Sequence, residues 1–547
     1  MDNFRVRRHP VSPLQSVDSF SVPRTAKQTA KPIKGSISDT LLPSQLPVEV
    51  VAAPQEELAP PPPEQNYSVA PLDSSSVATS EPLHPFDLAS IQEIEKPKNR
   101  LVAGRAFRRW LLRGGLLILS VFIATGGLLF AQGYTKVHKV FKGGASHAAA
   151  LQANVSPTLL KGEGDGRINI LLLGNGGDGH DGPDLTDTMM IVSIDPVDKT
   201  ASLLSIPRDL WVQVPNHGSM KINAAYEVGK WGYLGKMSAS NANTQAVEAG
   251  FKQVDQVVEN VTGLTIDYNT VANFSSFKQA VDTIGGVTVD VPTQLYDPTM
   301  AWENNNNPVL ASPGTQVMNG KEALLYVRSR ETTSDFARSQ RQRSVILAIK
   351  QKVLTLGTLS NPLKISGLLS AFGDNMVTDF SLSDAVRAYG IMKDISNDNI
   401  SSLDLVTPPN GLVTTANMNG ISVDEPRAGL FNYTDIQNFV HTTLKDSYLV
   451  NEHAQVTVLN GSSKEGLATV KANELKSYGY NVTQVGNAPT RTYAKTVIVD
   501  FTKGTDKYTL NYLQNRYGVH AVNLAPDPTI QRNGADFIVI LGNDQSQ

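Results

Sequence analysis

The chain contains 547 residues, with 48 Lys and Arg against 51 Asp and Glu and a formal net charge of −3 at pH 7. This length exceeds one ordinary domain, so two or three folded units are expected. The balanced charge argues against a nucleic-acid-binding protein, and the absence of cysteine excludes disulfides, thiolate metal sites and cysteine nucleophiles.

The first 95 residues are rich in Pro, Ser, Gln and Ala and include four consecutive prolines, from Pro60 to Pro63. They contain few aromatic or branched residues, so burial of apolar surface cannot offset the entropy that is lost on ordering. We therefore predict that residues 1–95 form a disordered tail that serves as a spacer.

An uncharged run of 18 apolar and small residues follows at 114–131, with Trp110 and Tyr134 on its two sides. A helix of about 18–20 residues spans the ~30 Å hydrocarbon core of a bilayer. Lys and Arg are concentrated before the run and are few after it, which by the positive-inside rule places residues 1–95 in the cytoplasm. We predict a single-pass transmembrane helix over 110–132, with the rest of the chain extracytoplasmic; the alternative is a buried core helix.

Residues 133–164 are predicted to form a linker, because small residues dominate the stretch after the apolar run. A pattern of alternating strands and helices then begins near residue 165. Apolar runs predict strands at 167–173, 188–194, 201–206 and 287–291. Helical spacing of apolar residues, each time followed by glycine, predicts helices around 247–261 and 274–284. This alternation is typical of the α/β class, in which helices cover a central sheet.

A second, smaller α/β unit is predicted over residues 453–545. Its pattern is a strand at 456–459, a helix that ends at Tyr478 and strands at 482–485, 496–500 and 537–541. The segment 460–463, with sequence Asn-Gly-Ser-Ser, is interpreted as a strand-to-helix turn with a helix cap rather than as a ligand site.

The segment 174–179 satisfies the pattern G-x-G-x-x-G after a strand, and Asp195 lies about 20 residues further on. A dinucleotide-binding fold would require a helical crossover of ten or more residues before the next parallel strand. Only the loop 180–187 separates the glycines from the next predicted strand, so we reject this interpretation.

The same loop is rich in carboxylates, with acids at Asp178, Asp181, Asp184 and Asp187. In open α/β sheets, ligands bind at the carboxyl ends of strands, where this loop begins. Mg²⁺ is typically held by one or two carboxylates together with substrate phosphates and water. The loop therefore either supplies metal ligands or forms an ordinary solvated surface.

Arginines are concentrated in a second region. A strand is predicted at 326–330, in which Arg328 and Arg330 would project to one face. On the following helix, Arg338, Arg341 and Gln342 extend the apolar stripe that faces the interior. Buried arginines require anionic partners, and guanidinium groups bind phosphate bidentately, so we predict a multivalent anionic ligand. The alternative is a basic helix in water.

These features together resemble the LytR-CpsA-Psr family. The resemblance rests on the ordered blocks ILLLG (170–174), TDTMM (186–190), SIDP (193–196), SIPRD (205–209), KINAAY (221–226), VDTIGGV (281–287), NGKEAL (319–324), YVRSR (326–330) and DFARSQRQ (335–342). It implies a catalytic domain over 165–445 with its core at 165–355, and residues 453–545 are similar to the LytR-type C-terminal domain of many members.

The resemblance implies a phosphotransferase that moves a glycopolymer from an undecaprenyl-pyrophosphate-like lipid to a peptidoglycan hydroxyl. It also implies Mg²⁺ or Mn²⁺ as cofactor and an α/β/α sandwich that encloses a hydrophobic channel for the lipid. The expected partners are the lipid-linked glycan, peptidoglycan and the membrane. Teichoic acids, capsule and arabinogalactan are the usual polymers.

Residue roles follow from the same resemblance. The implied catalytic residues are Arg208, Asp209, Arg328 and Arg330, and the substrate-binding residues are Lys221, Arg338, Arg341 and Gln342. Asp187 is the implied metal ligand; either Asp178, Asp181 or Asp184 of the loop supplies a further carboxylate, or the affinity for the metal is reduced. The arginines would hold the pyrophosphate, with help from Gln342. Asp209 would either orient Arg208 or deprotonate the acceptor hydroxyl.

Two positions depart from the family pattern. Leu185 stands where most members have arginine, and Gly176 stands where they have an acid. His180 is a partial substitute for the missing arginine. Three alternatives to the transferase remain open at this point: a pyrophosphate hydrolase with the same residues, a non-enzymatic scaffold that binds wall glycan, and a membrane-bound transcriptional regulator.

Overall fold

A computed structural model describes residues 140–141, 148–152, 154–234, 242–330, 335–355, 375–406 and 410–546. The predicted tail (1–95) and the predicted transmembrane helix (110–132) lie outside this part of the chain. Within it, no helix combines the length and the apolar character needed to cross a membrane.

The strands of the first domain are β1 (Ile168–Asn175), β2 (Thr186–Asp195), β3 (Thr200–Ser205), β4 (Trp211–Val214), β5 (Gly218–Lys221), β6 (Tyr268–Asn273), β7 (Val287–Val291), β8 (Leu295–Tyr296), β9 (Val309–Ala311), β10 (Gly314–Met318), β11 (Met376–Thr378), β12 (Ile400–Asp404), β13 (Val413–Met418) and β14 (Ile421–Pro426). Its helices are α1 (Ala225–Leu234), α2 (Ala242–Thr262), α3 (Phe274–Thr283), α4 (Gly320–Arg328), α5 (Asp335–Thr355), α6 (Leu382–Met392) and α7 (Thr434–Thr443). The second domain contains α8 (Ser447–Val450), β15 (Gln455–Asn460), α9 (Leu467–Tyr478), β16 (Asn481–Asn487), β17 (Val497–Asp500), α10 (Lys507–Tyr517) and β18 (Phe537–Leu541).

The central sheet has the strand order β11-β6-β1-β2-β3-β12. β1 is parallel to β6 and β3 is parallel to β12, whereas β2 is antiparallel to both of its neighbours. The carboxyl ends of β1, β3, β6 and β12 therefore meet at one edge, and β2 begins at the same edge. The antiparallel pairing of β1 with β2 also agrees with rejection of the dinucleotide-binding interpretation, which requires a parallel crossover.

Both faces of this sheet are covered by helices. On one face, Leu171 and Ile191 pack in a core with Val254 of α2. On the other face, Met190 packs in a core with Ala388 of α6. Successive residues of a strand point to opposite faces, which explains why neighbours such as Met190 and Ile191 enter different cores. The predicted mixed α/β fold, with helices on both sides of the sheet, is confirmed.

A smaller lobe surrounds a separate core formed by β7–β10, α3, α4 and α5. Val289, Tyr326 and Val345 are buried in it. Residues 326–330, predicted as a strand, instead form the end of α4 and a turn, so that prediction was wrong. The reason is local, since Asn319 and Glu322 form a reciprocal capping box that starts a helix at Gly320.

The second domain has a sheet with the order β16-β15-β18-β17, and its core includes Val458, Leu475 and Phe537. The turn after β15 is held by Asn460, whose Oδ1 accepts bonds from both the backbone N and the Oγ of Ser462. The fully buried Ser462 supports the interpretation of a structural turn. No side-chain hydrogen bond caps α9, so the predicted helix cap is absent from this described turn.

The described part of the predicted linker, 133–164, is packed rather than extended. Ala148 and Leu151 join the core of the first domain, whereas Val155 and Leu160 join that of the second. Its last residues also form ion pairs, since Glu163 Oε1 lies 2.6 Å from Nε of Arg516 on α10. This segment therefore connects the two domains through its side chains.

Candidate active site

The carboxyl edge of the central sheet carries an ion pair between Asp187 and Arg208. Asp187 is the second residue of β2, and Arg208 lies in the turn that follows β3. The Nη1 atom of Arg208 is 2.6 Å from Oδ1 of Asp187, and Nδ2 of Asn223 is 3.3 Å from the same oxygen. No described residue donates to Oδ2 of Asp187, whose side chain is 45% exposed. One carboxylate oxygen therefore faces the open site.

Asp209 lies at the centre of three cations. Its carboxylate is 2.6 Å from Nζ of Lys221, 3.4 Å from Nε of Arg208 and 4.0 Å from Nη2 of Arg330. Burial by itself would raise the pKa of Asp209, but the hydrogen bond from Lys221 and the charges of Arg208 and Arg330 outweigh it and lower the pKa. A carboxylate of lowered pKa is a weak base, so this geometry favours orientation of Arg208 over proton abstraction.

Arg328, the last residue of α4, is held from two sides. Its Nη1 atom lies 2.8 and 3.1 Å from the two carboxylate oxygens of Glu303. Its guanidinium also stacks on Phe274, with its central carbon 4.5 Å from the ring centroid. The same ring meets the ring of His180 edge-on at 5.1 Å. Arg328 is therefore fixed beside the loop between β1 and β2.

Arg338 and Gln342 of α5 line a cleft together with Asp187, Thr188 and Asp404. Arg338 is buried, as the sequence predicted from the apolar stripe on this helix. Gln342 Nε2 donates to Thr188 Oγ1 at 3.2 Å. This bond links the arginine-rich helix α5 to β2, the strand that carries the candidate metal ligand Asp187.

Arg341 has a different environment from the one implied for a pyrophosphate ligand. Its Nε donates to the carbonyl of Tyr326 at 2.8 Å, and its Nη2 donates to the carbonyl of Ser329. The last carbonyls of a helix lack intrahelical partners, so these bonds complete the end of α4. Burial lowers the pKa of Arg341, with Tyr326 and Asp297 opposing that effect. Its contacts support a positioning role for the turn that carries Arg328 and Arg330.

The four acids predicted as metal ligands do not converge. Asp178 and Asp181 are exposed on the loop, whereas Asp184 is buried and lies 2.6 Å from Nζ of Lys230. Within the described part of the chain, no group of three or more His, Asp or Glu side chains could hold a metal ion. Of these four acids, Asp187 lines the described cleft with Arg338, where it fits a cation that takes one carboxylate from the protein and the remaining oxygens from phosphate and water.

Several site residues were not singled out in the sequence. Asn223 contacts Asp187, Glu303 pairs with Arg328, and Asp297 holds the turn at Ser329. Asn223 belongs to the KINAAY block, which offered a signal. Glu303 and Asp297 have no local signal, because their partners lie 25 and 32 residues away in the chain.

Positively charged side chains outnumber the carboxylates that they contact in this described site. Arginine forks in a partly enclosed, positively charged cleft bind phosphate oxygens bidentately and stabilise charge that develops on a transferring phosphoryl group. The fold and the site therefore define an α/β protein with an arginine-rich site for a phosphorylated ligand.

Comparison with known families agrees with this description. Residues 132–432 match the LytR_cpsA_psr family, and residues 453–544 match the domain described as LytR cell envelope-related transcriptional attenuator. Because the first match covers more than half of the chain, the protein belongs to the LytR_cpsA_psr family.

Two curated relatives are cell-wall proteins. The chain is 28% identical to the cell wall biosynthesis protein LcpA of Corynebacterium glutamicum over 353 residues, which cover 59% of this chain and 63% of that protein. It is 26% identical to the polyisoprenyl-teichoic acid–peptidoglycan teichoic acid transferase TagT of Bacillus subtilis over 303 residues, 54% of this chain and 85% of that protein. The solved structure of YwtF (TagT) with bound octaprenyl pyrophosphate lipid is 22% identical, covering 55% of this chain and 97% of that one with a TM-score of 0.38.

Proposed function

We propose that this protein transfers a glycopolymer from a polyisoprenyl pyrophosphate carrier to a hydroxyl of peptidoglycan. The observation that carries the proposal is the convergence of Arg208, Arg330 and Lys221 on Asp209, beside the exposed oxygen of Asp187. The relative TagT, a polyisoprenyl-teichoic acid–peptidoglycan teichoic acid transferase, supplies the substrate class. The catalytic domain acts outside the bilayer, tethered by the predicted helix at 110–132.

Each side chain has a defined part in this scheme. Arg208, Arg330 and Arg338 bind the diphosphate, and Asp209 with Lys221 fixes the direction of Arg208. The acceptor hydroxyl forms a bond to the phosphorus that carries the glycan, and the bond from that phosphorus to the bridging oxygen breaks. The bridging oxygen keeps the electron pair, and the leaving polyisoprenyl monophosphate takes up the hydroxyl proton. The guanidinium groups stabilise the charge that develops on the phosphoryl oxygens.

Asp187 would hold Mg²⁺ or Mn²⁺, which would neutralise part of the phosphate charge. The 45% exposed side chain of Asp187 fits a cation that shares its coordination with the substrate, and Asp404 lines the same cleft. Asp184 fits that role less well, because it pairs with Lys230 and its side chain is only 10% exposed, against 45% for Asp187.

The test uses the full-length protein in detergent micelles with a synthetic polyisoprenyl-pyrophosphoryl oligosaccharide as donor. The acceptor is soluble, uncross-linked peptidoglycan, supplied or omitted. A transferase gives a covalent glycan conjugate and releases polyisoprenyl monophosphate only with the acceptor. Equal release without the acceptor would instead establish a hydrolase, and binding of donor without release would establish a scaffold.

Variants connect this activity to the site. Arg208→Met should lower kcat by about 10²-fold or more, because one charged donor to the transferring group is lost. Arg532→Met is the matched control, since Arg532 is 52% exposed and pairs with the partly exposed Asp536 in the second domain. Chelation followed by addition of Mg²⁺ or Mn²⁺ tests the cofactor, and full activity after exhaustive chelation would contradict the proposed metal.

A further inference from the structure

The segment between β8 and β9 is fixed rigidly at both ends. It forms a 3₁₀ helix, Pro298–Asn304, whose first turn is capped by Asp297 through a 3.0 Å bond from the backbone N of Thr299. At its other end, Nδ2 of Asn304 donates to the carbonyls of Asn307 and Val309 at 3.0 and 2.9 Å. The backbone therefore holds its exposed side chains in set positions.

The same segment is attached to the candidate active site at two points. Glu303 binds the guanidinium of Arg328 through both of its oxygens. The buried carboxylate of Asp297 accepts bonds from Ser329 Oγ at 2.7 Å and from the backbone N of Arg330 at 3.3 Å. The segment thus forms a wall beside Arg328, outside the cleft that Asp187 and Arg338 line.

Trp302 projects from this wall into solvent, with 74% of its surface exposed. The lobe does not require this ring for its core, because Met300 of the same segment packs there. Asn305 and Asn306 follow with left-handed backbone angles (φ of 54° and 61°) and exposed amides. An exposed flat aromatic ring, followed closely in the chain by exposed amides, suits a sugar, whose C–H face stacks on the ring while its hydroxyls bind amides.

The position of the wall favours the acceptor glycan over the donor glycan as the ligand of Trp302. The cleft that holds Asp187 and Arg338 is lined by strand ends and α5, and the segment 298–307 is not part of its lining. In phosphoryl transfer the attacking and leaving oxygens lie roughly in line, so, with the lipid phosphate bound in that cleft as proposed, the acceptor approaches from outside it. We infer that Trp302 is a stacking platform for a sugar ring of the glycan acceptor, adjacent to Arg328; this inference rests on the proposed transferase function.

The test is a kinetic comparison in full-length protein, with the synthetic donor and soluble, uncross-linked peptidoglycan oligomers varied in turn. Trp302→Ala should raise KM for the oligomers by about 5–10-fold and leave KM for the donor unchanged. Trp302→Phe, which keeps a ring, should recover most of the loss. Val317→Ala, at a 67% exposed position of the same lobe, is the control.

Two kinetic results would overturn the inference: an unchanged KM for the oligomers, or a rise confined to KM for the donor, which would place the donor sugar on Trp302. A separate calorimetric titration with the same oligomers requires no turnover. Loss of oligomer binding in Trp302→Ala would support the platform even if the protein transferred nothing, whereas equal binding by the two proteins would refute it.

Discussion

Asp297 provides a direct test of how the active-site turn is positioned. Its carboxylate is fully buried and accepts bonds from the N and Oγ1 of Thr299, from Ser329 Oγ and from the N of Arg330. Burial by itself would raise the pKa of Asp297, but the hydrogen bonds from Thr299 and Ser329 lower it, so the group is a carboxylate at neutral pH. It touches no proposed substrate-binding atom and acts only through the turn.

The substitution Asp297→Asn keeps the size of the side chain and one acceptor oxygen. The other oxygen becomes an NH₂ group, which Ser329 can accommodate by rotating its hydroxyl. The backbone N–H of Arg330 has no such freedom and loses its acceptor. An unsatisfied buried donor together with two weakened charge-assisted bonds predicts a loss of about 2–4 kcal/mol in the free energy of unfolding.

The functional effect follows from the displacement of Arg330. In the wild-type protein, its Nη2 atom lies 4.0 Å from the carboxylate of Asp209. A shift of about 1 Å in a positioned group can cost ~10²-fold in rate, so kcat should fall by about 10- to 100-fold while KM for the glycan acceptor changes less. Both quantities are measured in full-length protein, by urea denaturation and by the transfer assay at a temperature where the variant is folded. The control is Asp290→Asn on the exposed face of β7. Wild-type kcat and stability in Asp297→Asn would refute the reasoning.

Three further predictions concern the loop, a buried acid and the domain contact. In Gly176→Asp, the added Cβ would lie 2.8 Å from Cβ of His180, so this single variant should not gain affinity for Mg²⁺. The double variant Gly176→Asp/His180→Gly removes the clash and should bind Mg²⁺ more tightly, as measured by calorimetry. Tighter binding by the single variant would contradict this prediction. Burial, with the charges of Asp379 and Glu259, raises the pKa of Asp255 to about 8 despite the hydrogen bond from Asn269. Between about pH 4 and 8, the folded state therefore holds a proton that the unfolded state has lost, and the protein becomes less stable as the pH rises through this range. Asp255→Asn should therefore raise Tm more at pH 8 than at pH 5, and an equal change at both values would exclude this acid as the cause. Arg516→Met should cost about 3–5 kcal/mol in unfolding free energy, because the 10% exposed Glu163 loses its cation and keeps the hydrogen bond from Tyr480. Glu163→Gln/Arg516→Met should cost less, and the exposed control Arg532→Met about 0.5 kcal/mol or less. Similar losses in all three variants would rule out a buried pair.

Much of the fold was predictable because its signals are local. The strands Val287–Val291 and Phe537–Leu541 have the predicted bounds, since continuous apolar or strictly alternating runs mark them without reference to distant residues. The inward direction of Arg338 was equally visible, because it extends an apolar helical stripe. In 326–330, the alternation of apolar and charged residues favoured a strand, whereas the capping box several residues earlier determined a helix.

Roles that depend on distant backbone could not be predicted in this way. Arg341 was expected to bind phosphate, yet its donors are directed to carbonyls 12 and 15 residues earlier, which no side-chain pattern reports. The ion pair of Asp184 could not be predicted either, because its partner Lys230 comes close only when α1 has packed. The small residues of 133–164 suggested a linker, but a few buried apolar side chains decide whether such a segment packs, and these depend on surfaces formed by both domains.

Leu185 stands where most family members have arginine, and here a contact between aromatic rings fixes the loop in place of that arginine. His180 of the loop meets Phe274 edge-on, and Phe274 stacks under Arg328, so a guanidinium is linked to the loop through two rings. A loop arginine would be exposed and its pairing screened by salt, whereas this contact is held by ring packing and by the Glu303 pair behind it. Because His180 occupies the space that an acid at Gly176 would need, the two departures from the family pattern are coupled: the ring that replaces the arginine also excludes the second carboxylate. Asp187 is therefore the one predicted metal ligand that lines the described cleft of Arg338, together with Asp404 at the end of β12.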